Sequence, residues 1–183
     1  MYLIINFVAF QVGWFACVLG AANGAPLLGP IVVAAVVVLH LSKSFRPGRE
    51  ALLIGLAGLL GAFWDSALVA AGWIAYPSGA VAANLAPYWI VAMWMLFATT
   101  LNVSLRWLRS RFTLAAALGA VAGPLAFYGG AKLGGVTFLD PWAGLVALGI
   151  GWAVMMPLLS ALSTQLDGMT GSTGSTEEGR AYV

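Results

Sequence analysis

Charged residues, histidine and cysteine are scarce in this 183-residue sequence. Only 8% of the residues are charged, whereas soluble domains carry about 25%. The single cysteine, Cys17, excludes a disulfide within the sequence, and a lone thiol in an apolar segment is usually unreactive. With one histidine, His40, a zinc or di-iron site would lack ligands. We therefore predict no metal and no cofactor.

The charge balance does not point to a nucleic-acid partner. The formal net charge of +2 comes from lysines and arginines in the short segments between apolar runs. Nucleic-acid binding requires larger clusters of basic residues on one surface. We therefore predict no nucleic acid among the partners.

Long apolar runs fill most of the chain. Hydrophobic residues make up 62% of the sequence, more than a soluble fold of this length could bury. The six runs cover residues 2–20, 26–41, 51–73, 87–105, 112–133 and 141–162. Because a helix needs about 20 residues to cross a bilayer, they predict an all-α, polytopic membrane protein, a bundle of six transmembrane helices over residues 1–166. The second run is short, so it is either a thin-membrane crossing or a re-entrant segment.

Basic residues mark every second junction between the runs and predict the orientation. Seven of the eight lysines and arginines fall on one side of a six-crossing topology; only Lys132 falls on the other. Basic residues are retained in the cytoplasm. We therefore expect a multi-pass protein of the bacterial inner membrane with both termini inside (N-in/C-in). The polar residues 167–183, rich in Gly, Ser and Thr, predict a disordered cytoplasmic tail.

Asp65 lies deep in the third run, on a face of mostly small residues. At helical spacing this face contains Gly55, Gly58, Ala62, Asp65, Val69 and Gly72. Small residues let membrane helices approach closely, so we expect Asp65 to face a neighbouring helix. One interpretation is a carboxyl group hydrogen-bonded to that helix through Asn, Gln, Ser or a Trp N–H. The other is a proton or substrate site, since intramembrane ionisable residues are often functional. Lys132 is a candidate ion partner.

Other polar residues in the runs are further candidates for a binding site. Asn6 and Gln11, in the first run, are either packing clamps, that is, residues that hold two helices together by hydrogen bonds, or ligand contacts. Thr99, Asn102 and Arg106 share a stripe of the fourth run. This stripe predicts the border of a cytoplasm-facing crevice in which Arg106 meets a phosphate or carboxylate. The alternative is that Arg106 extends to lipid headgroups.

A histidine at the end of the second run and a glycine pair followed by proline in the fifth run are two further features. His40, near the cytoplasmic surface, is either an interfacial hydrogen bonder or a catalyst. Gly119 and Gly123 form a GxxxG pair, which predicts close helix packing. Pro124, directly after that pair, removes one backbone hydrogen bond from the helix.

Three segments, residues 6–22, 87–105 and 119–134, carry recurring polar, aromatic and glycine features. These features are Asn6, Gln11, Gly13, Trp14, Trp94, Phe97, Leu101, Asn102, Gly123, Pro124 and Leu125. On them the chain resembles a family of small six-helix bacterial inner-membrane proteins of unknown function, with His40 and Asp65 at matching positions. The resemblance implies genes near enzymes similar to cyclopropane-fatty-acid synthases and flavin-dependent amine oxidases. It thereby implies a role in membrane-lipid modification or membrane stress.

The sequence leaves three classes of function open. The first is an accessory or catalytic component of lipid modification, with a crevice lined by Asn6, Gln11, Asp65, Thr99 and Asn102. The second is a small-solute or proton-coupled carrier in which Asp65 titrates, and the third is a non-catalytic assembly partner. Membrane lipids, and a membrane or peripheral protein, are the expected partners. Because no nucleophile–base pair is recognisable, we do not predict whether the protein is an enzyme.

A cavity would discriminate between these classes. A pocket open sideways to lipid favours a role in lipid modification. An aqueous path that reaches both faces of the membrane favours a carrier, and a solid bundle favours an assembly role.

Overall fold

The computed structural model describes residues 1–171, which contain six α-helices. The helices are α1 (Tyr2–Ala22), α2 (Leu28–Ser42), α3 (Pro47–Ala70), α4 (Tyr88–Leu101), α5 (Phe112–Lys132) and α6 (Pro141–Gln165). A short 3₁₀ helix, Arg106–Leu108, follows α4. Two strands, β1 (Ile74–Ala75) and β2 (Thr137–Phe138), form an antiparallel pair. The predicted all-α, six-helix fold is confirmed, and residues 172–183 of the predicted tail lie outside the described residues.

Four helices, α1, α3, α5 and α6, are long and apolar enough to cross a membrane. The other two are shorter: α2 has 15 residues and α4 has 14. At these lengths each extends only about 22 Å. The shortness of α2 was expected, but the prediction that the fourth helix continues to residue 105 is wrong. The chain turns at Asn102, and the backbone N–H groups of Val103 and Leu105 both bond to the carbonyl oxygen of Thr100.

Consecutive helices run in opposite directions between the two ends of the bundle. One end, here called the basic end, brings Tyr2 of α1 next to His40 of α2, and Glu50 of α3 next to Asn102 and Gly168. The opposite end contains the strand pair and the loops between α1 and α2, α3 and α4, and α5 and α6. Both basic junctions and both ends of the described chain therefore lie together at this end.

We predict that the basic end faces the cytoplasm. Reporter fusions after Ser44, after Arg109 and at Val183 should all give a cytoplasmic signal, because retained basic residues flank these points. A fusion after Gly134, in the loop at the opposite end, should give the opposite signal and serves as the internal control. A periplasmic signal at either terminus would contradict the topology.

Indole rings seated on glycines hold the helices together. A Cβ atom at Gly61 would overlap Cγ of Trp94, and one at Gly123 would overlap Cγ of Trp152. The predicted GxxxG packing is therefore present, between α5 and α6. On α3 the expected small-residue face is only partly used, because Gly55 is exposed and a Cβ there would meet nothing within 4 Å. Helices α1 to α4 pack as one group, and α5 with α6 forms a hairpin that attaches through α3 and α4.

Candidate functional site

A cleft of about 340 Å³ lies between α1 and α4 on one side and α5 and α6 on the other. Its wall is apolar and unusually aromatic. The eight aromatic side chains that line it are Phe10, Trp14, Tyr76, Trp89, Trp94, Phe97, Phe127 and Trp152. Their rings pack on one another, with Trp94 stacked on Trp152 at 4.7 Å between centroids and Phe97 edge-on to Trp152 at 5.3 Å. The volume lies within the range of about 300–1,000 Å³ typical of ligand pockets.

The cleft opens sideways between α1 and α5. Ala122 and Ala126 of α5 line the cleft and are exposed, and α1 and α5 do not pack along their lengths, which leaves a gap between them. At the end opposite the basic end α1 and α5 meet: a Cβ atom at Gly135 would lie 2.9 Å from Cγ1 of Val18. Towards the basic end the lining continues to Leu105 and Leu108. The mouth therefore lies along the sides of α1 and α5, two helices that are long and apolar enough to cross a membrane.

Asp65 lies directly behind this wall. Its side chain is fully buried, one carboxylate oxygen accepts a hydrogen bond from the Tyr76 hydroxyl at 2.5 Å, and the other accepts from Nε1 of Trp94 at 2.7 Å. Asp65 therefore faces a neighbouring helix as predicted, and its partner there is one of the expected types, a Trp N–H. The suggested ion pair between Asp65 and Lys132 is wrong. The ammonium group of Lys132 lies over the Tyr128 ring, 5.2 Å from its centroid. Burial raises the pKa of Tyr76 well above its ordinary value, which keeps its hydroxyl a donor.

A second buried group links four helices at the basic end. Nε2 of His40 lies 2.8 Å from one carboxylate oxygen of Glu50, and the other oxygen accepts from Asn102 Nδ2 and from the Gly168 backbone N–H, each at 2.7 Å. The Tyr2 hydroxyl lies 3.4 Å from Nδ1 of His40. His40, Glu50 and Asn102 are all buried. His40 is therefore a hydrogen-bonding residue inside the bundle, in the last turn of α2 at the basic end.

Glu50 is the residue of this group that the sequence interpretation missed. It stands in a charged junction, and the third run was expected to begin at residue 51. The helix begins at Pro47 instead, which places Glu50 in its first turn. Leu53, Ile54 and Ala57 follow it at helical spacing on the same buried face. That spacing, together with the preference for acidic residues in a first helical turn, is the signal that could have identified Glu50.

Residues 167–171, which the sequence interpretation assigns to a disordered tail, pack against the basic end. The Gly168 carbonyl oxygen accepts from the Arg46 N–H and the Ser44 hydroxyl, and Met169 is buried. The prediction rested on the polar composition. The segment instead finds its partners in the loop between α2 and α3 and in Glu50.

Arg106 binds an internal carboxylate. Its Nη2 lies 3.1 Å from Asp167, whose same oxygen accepts from Arg109 Nη1 at 2.9 Å. Burial alone would raise the pKa of Asp167, but hydrogen bonds from Arg109 and Thr170 outweigh it and lower that pKa. Asp167 therefore remains ionised and holds residues 167–171 to the segment after α4.

The predicted single polar crevice is not formed. Asn6 donates to the Thr99 carbonyl oxygen at 3.0 Å and accepts from Ser104 at 2.8 Å, which makes it a packing clamp. Gln11 is exposed on the outer face of α1. Asp65 and Asn102 belong to the two separate groups described above. A polar group away from water is costly unless it is hydrogen-bonded. These side chains find partners nearby, except that Oδ1 of Asn102 is buried and has no hydrogen-bond partner in the described residues.

The described residues contain no group of three His, Cys, Asp or Glu side chains that could hold a metal ion. The fold and the cleft define an all-helical protein with helices apolar enough to be embedded in a membrane and with an apolar pocket between them. A family described as protein of unknown function (DUF2878) matches residues 3–158, and the chain belongs to this family. No curated protein and no solved structure matches the chain. The family assignment agrees with the resemblance and specifies no activity.

Proposed function

We propose that the chain is a multi-pass protein of the bacterial inner membrane that binds the hydrocarbon chain of a membrane lipid. In this role it serves as an accessory or catalytic component of membrane-lipid modification or of a membrane stress response. The observation that carries the proposal is the aromatic-lined cleft, about 340 Å³ in volume, with its mouth on the side of the bundle.

The chemistry of the cleft suits a flexible apolar ligand. Aromatic side chains offer large rigid contact surfaces, and the eight rings of the lining surround the space from α1, α4, α5, α6 and the loop before α4. The one hydroxyl among the lining side chains, that of Tyr76, already donates to Asp65. A polar solute would lose its hydration there and find few partners. Among the buried donors of the lining side chains, Nε1 of Trp152 has no hydrogen-bond partner in the described residues. A lipid tail can enter from the bilayer and never meets water.

The carrier alternative has less support from the geometry. A titrating or cation-binding Asp65 needs contact with water or with the cargo. Both of its oxygens instead accept hydrogen bonds from groups that separate it from the cleft, namely Tyr76 and Trp94. The assembly alternative is favoured by a solid bundle, and the cleft argues against it.

Filling the cleft tests the proposal. Ala122→Trp places an indole in the lateral opening, whereas Val121→Trp adds the same ring at a neighbouring exposed position of α5 that is not part of the lining. The purified protein in phospholipid vesicles is labelled with a lipid bearing a diazirine in its acyl chain, and labelled residues are mapped by mass spectrometry. We expect Ala122→Trp to reduce labelling of Phe127 and Trp152 about tenfold, equivalent to about 1.4 kcal/mol of binding free energy.

The control variant should label like the natural protein. Equal labelling of cleft residues in Ala122→Trp and the natural protein would contradict lipid binding in the cleft. Equal loss in both tryptophan variants would do so as well, because it would indicate a general effect on the helix surface.

A further inference from the structure

We propose that the bound lipid is an anionic phospholipid whose phosphate binds Arg106 and Arg111 at the basic-end rim of the cleft. This inference rests on the proposed function and adds the class of lipid headgroup. It starts from the way apolar and basic residues alternate in the segment that connects α4 to α5.

That segment lines the cleft and carries the cations at the same time. Leu105 and Leu108 belong to the cleft wall, and Arg106 stands between them. Trp107 is exposed, with half of its surface accessible, and the Arg111 guanidinium lies 5.9 Å from its ring centroid. Exposed tryptophan and arginine together are typical of the headgroup level of a membrane. An acyl chain in the cleft therefore places its headgroup beside these two arginines.

The hydrogen bonds of the rim leave donors for a ligand. Arg109 is committed to the protein, since Nη1 binds Asp167 and Nη2 binds the Ser163 carbonyl oxygen, and its side chain is 13% exposed. Arg106 uses Nη2 alone on Asp167 and is 38% exposed. A guanidinium group has five N–H donors. Arg106 and the exposed Arg111 can therefore both donate to a phosphate, an anion that arginine binds through bidentate hydrogen bonds.

The charge of this end favours an anionic headgroup. In the described part of the chain it contains six lysines and arginines but two carboxylates, Glu50 and Asp167. Glu50 is buried, and Asp167 is paired with Arg106 and Arg109. The surplus is positive, so a lipid of net negative charge is attracted more than a zwitterionic lipid with the same chains.

The test compares two photoactivatable lipids with identical acyl chains, phosphatidylglycerol and phosphatidylcholine, in phosphatidylcholine vesicles. We expect the natural protein to label more strongly at the cleft with phosphatidylglycerol. The double variant Arg106→Gln and Arg111→Gln should lose that labelling about tenfold. It should lose less of its labelling by phosphatidylcholine, whose phosphate is the same but whose choline cation weakens the attraction to the arginines. The control double variant, Lys43→Gln and Arg49→Gln, removes the same charge from the same end but outside the cleft, and should reduce phosphatidylglycerol labelling much less.

Two further measurements keep the inference falsifiable. Arg111→Gln alone leaves both arginine contacts of Asp167 intact, so a partial loss of phosphatidylglycerol labelling there cannot come from release of residues 167–171. Excess inorganic phosphate should not displace the lipid, because the cleft supplies the rest of the affinity.

Equal labelling by the two lipids, or equal loss in the two double variants, would overturn the headgroup site. So would efficient displacement by inorganic phosphate alone. If Ala122→Trp still abolishes labelling by both lipids, the lipid cleft stands and only the headgroup inference fails. If Ala122→Trp has no effect, the proposed function itself has failed.

Discussion

Replacing Glu50 by alanine is expected to lower the free energy of unfolding by about 2–6 kcal/mol, because the buried N–H groups of Asn102 and Gly168 both lose their acceptor and each such loss costs about 1–3 kcal/mol. The carboxylate is the common acceptor for Asn102 and the Gly168 N–H, and it is the partner of His40. Its removal leaves these groups buried without an acceptor. Thermal unfolding of the purified protein in detergent measures the loss, and limited proteolysis should show faster cleavage at residues 167–171.

Two variants make this result specific. Glu50→Gln keeps one acceptor oxygen for Asn102 and Gly168, so it should cost less than Glu50→Ala. Arg49→Ala alters the exposed neighbour in the same helical turn, where substitutions usually change stability by less than about 0.5 kcal/mol. An unfolding temperature of Glu50→Ala equal to that of the natural protein would show that the group contributes little to stability.

The helices could be predicted from the sequence because lipid imposes a simple rule. A chain that crosses hydrocarbon must satisfy its backbone internally, so long apolar runs become helices. The runs also gave the alternation of direction, through the basic junctions. The end of α4 could not be predicted, since Val103 and Leu105 are as apolar as the residues before them. What ends the helix is the turn at Asn102, and Asn102 is held by Glu50, which is distant in sequence.

The candidate polar residues could be recognised, but not their grouping. Asn6, His40, Asp65, Thr99 and Asn102 are all buried, as polar residues in apolar runs should be. Which of them meet depends on the relative rotation of the helices, and a single sequence contains no such information. The cleft was beyond prediction for the same reason. It is the space left where small residues of α5 face the rings of α4 and α6.

Asp65 provides the second large effect, because its two oxygens satisfy two donors that have no other partner in the described residues. Asp65→Leu keeps a similar volume but leaves the Tyr76 hydroxyl and the Trp94 N–H buried without acceptors. Each orphaned group costs about 1–3 kcal/mol, so we expect a loss of about 2–6 kcal/mol in the free energy of unfolding. Thermal unfolding in detergent measures it.

The same argument predicts that Asp65→Asn is mild. Indole N–H can only donate, so the amide oxygen would turn towards Trp94, while the amide nitrogen would donate to the Tyr76 oxygen, which also accepts. Adding Tyr76→Phe to Asp65→Leu should restore about 1–3 kcal/mol, since it removes one of the orphaned donors. Lipid labelling of the cleft should survive in Asp65→Asn if the carboxylate only holds the wall in place. Loss of labelling in a fully folded Asp65→Asn protein would show instead that function requires the carboxylate itself. It would then favour the carrier hypothesis, in which Asp65 titrates.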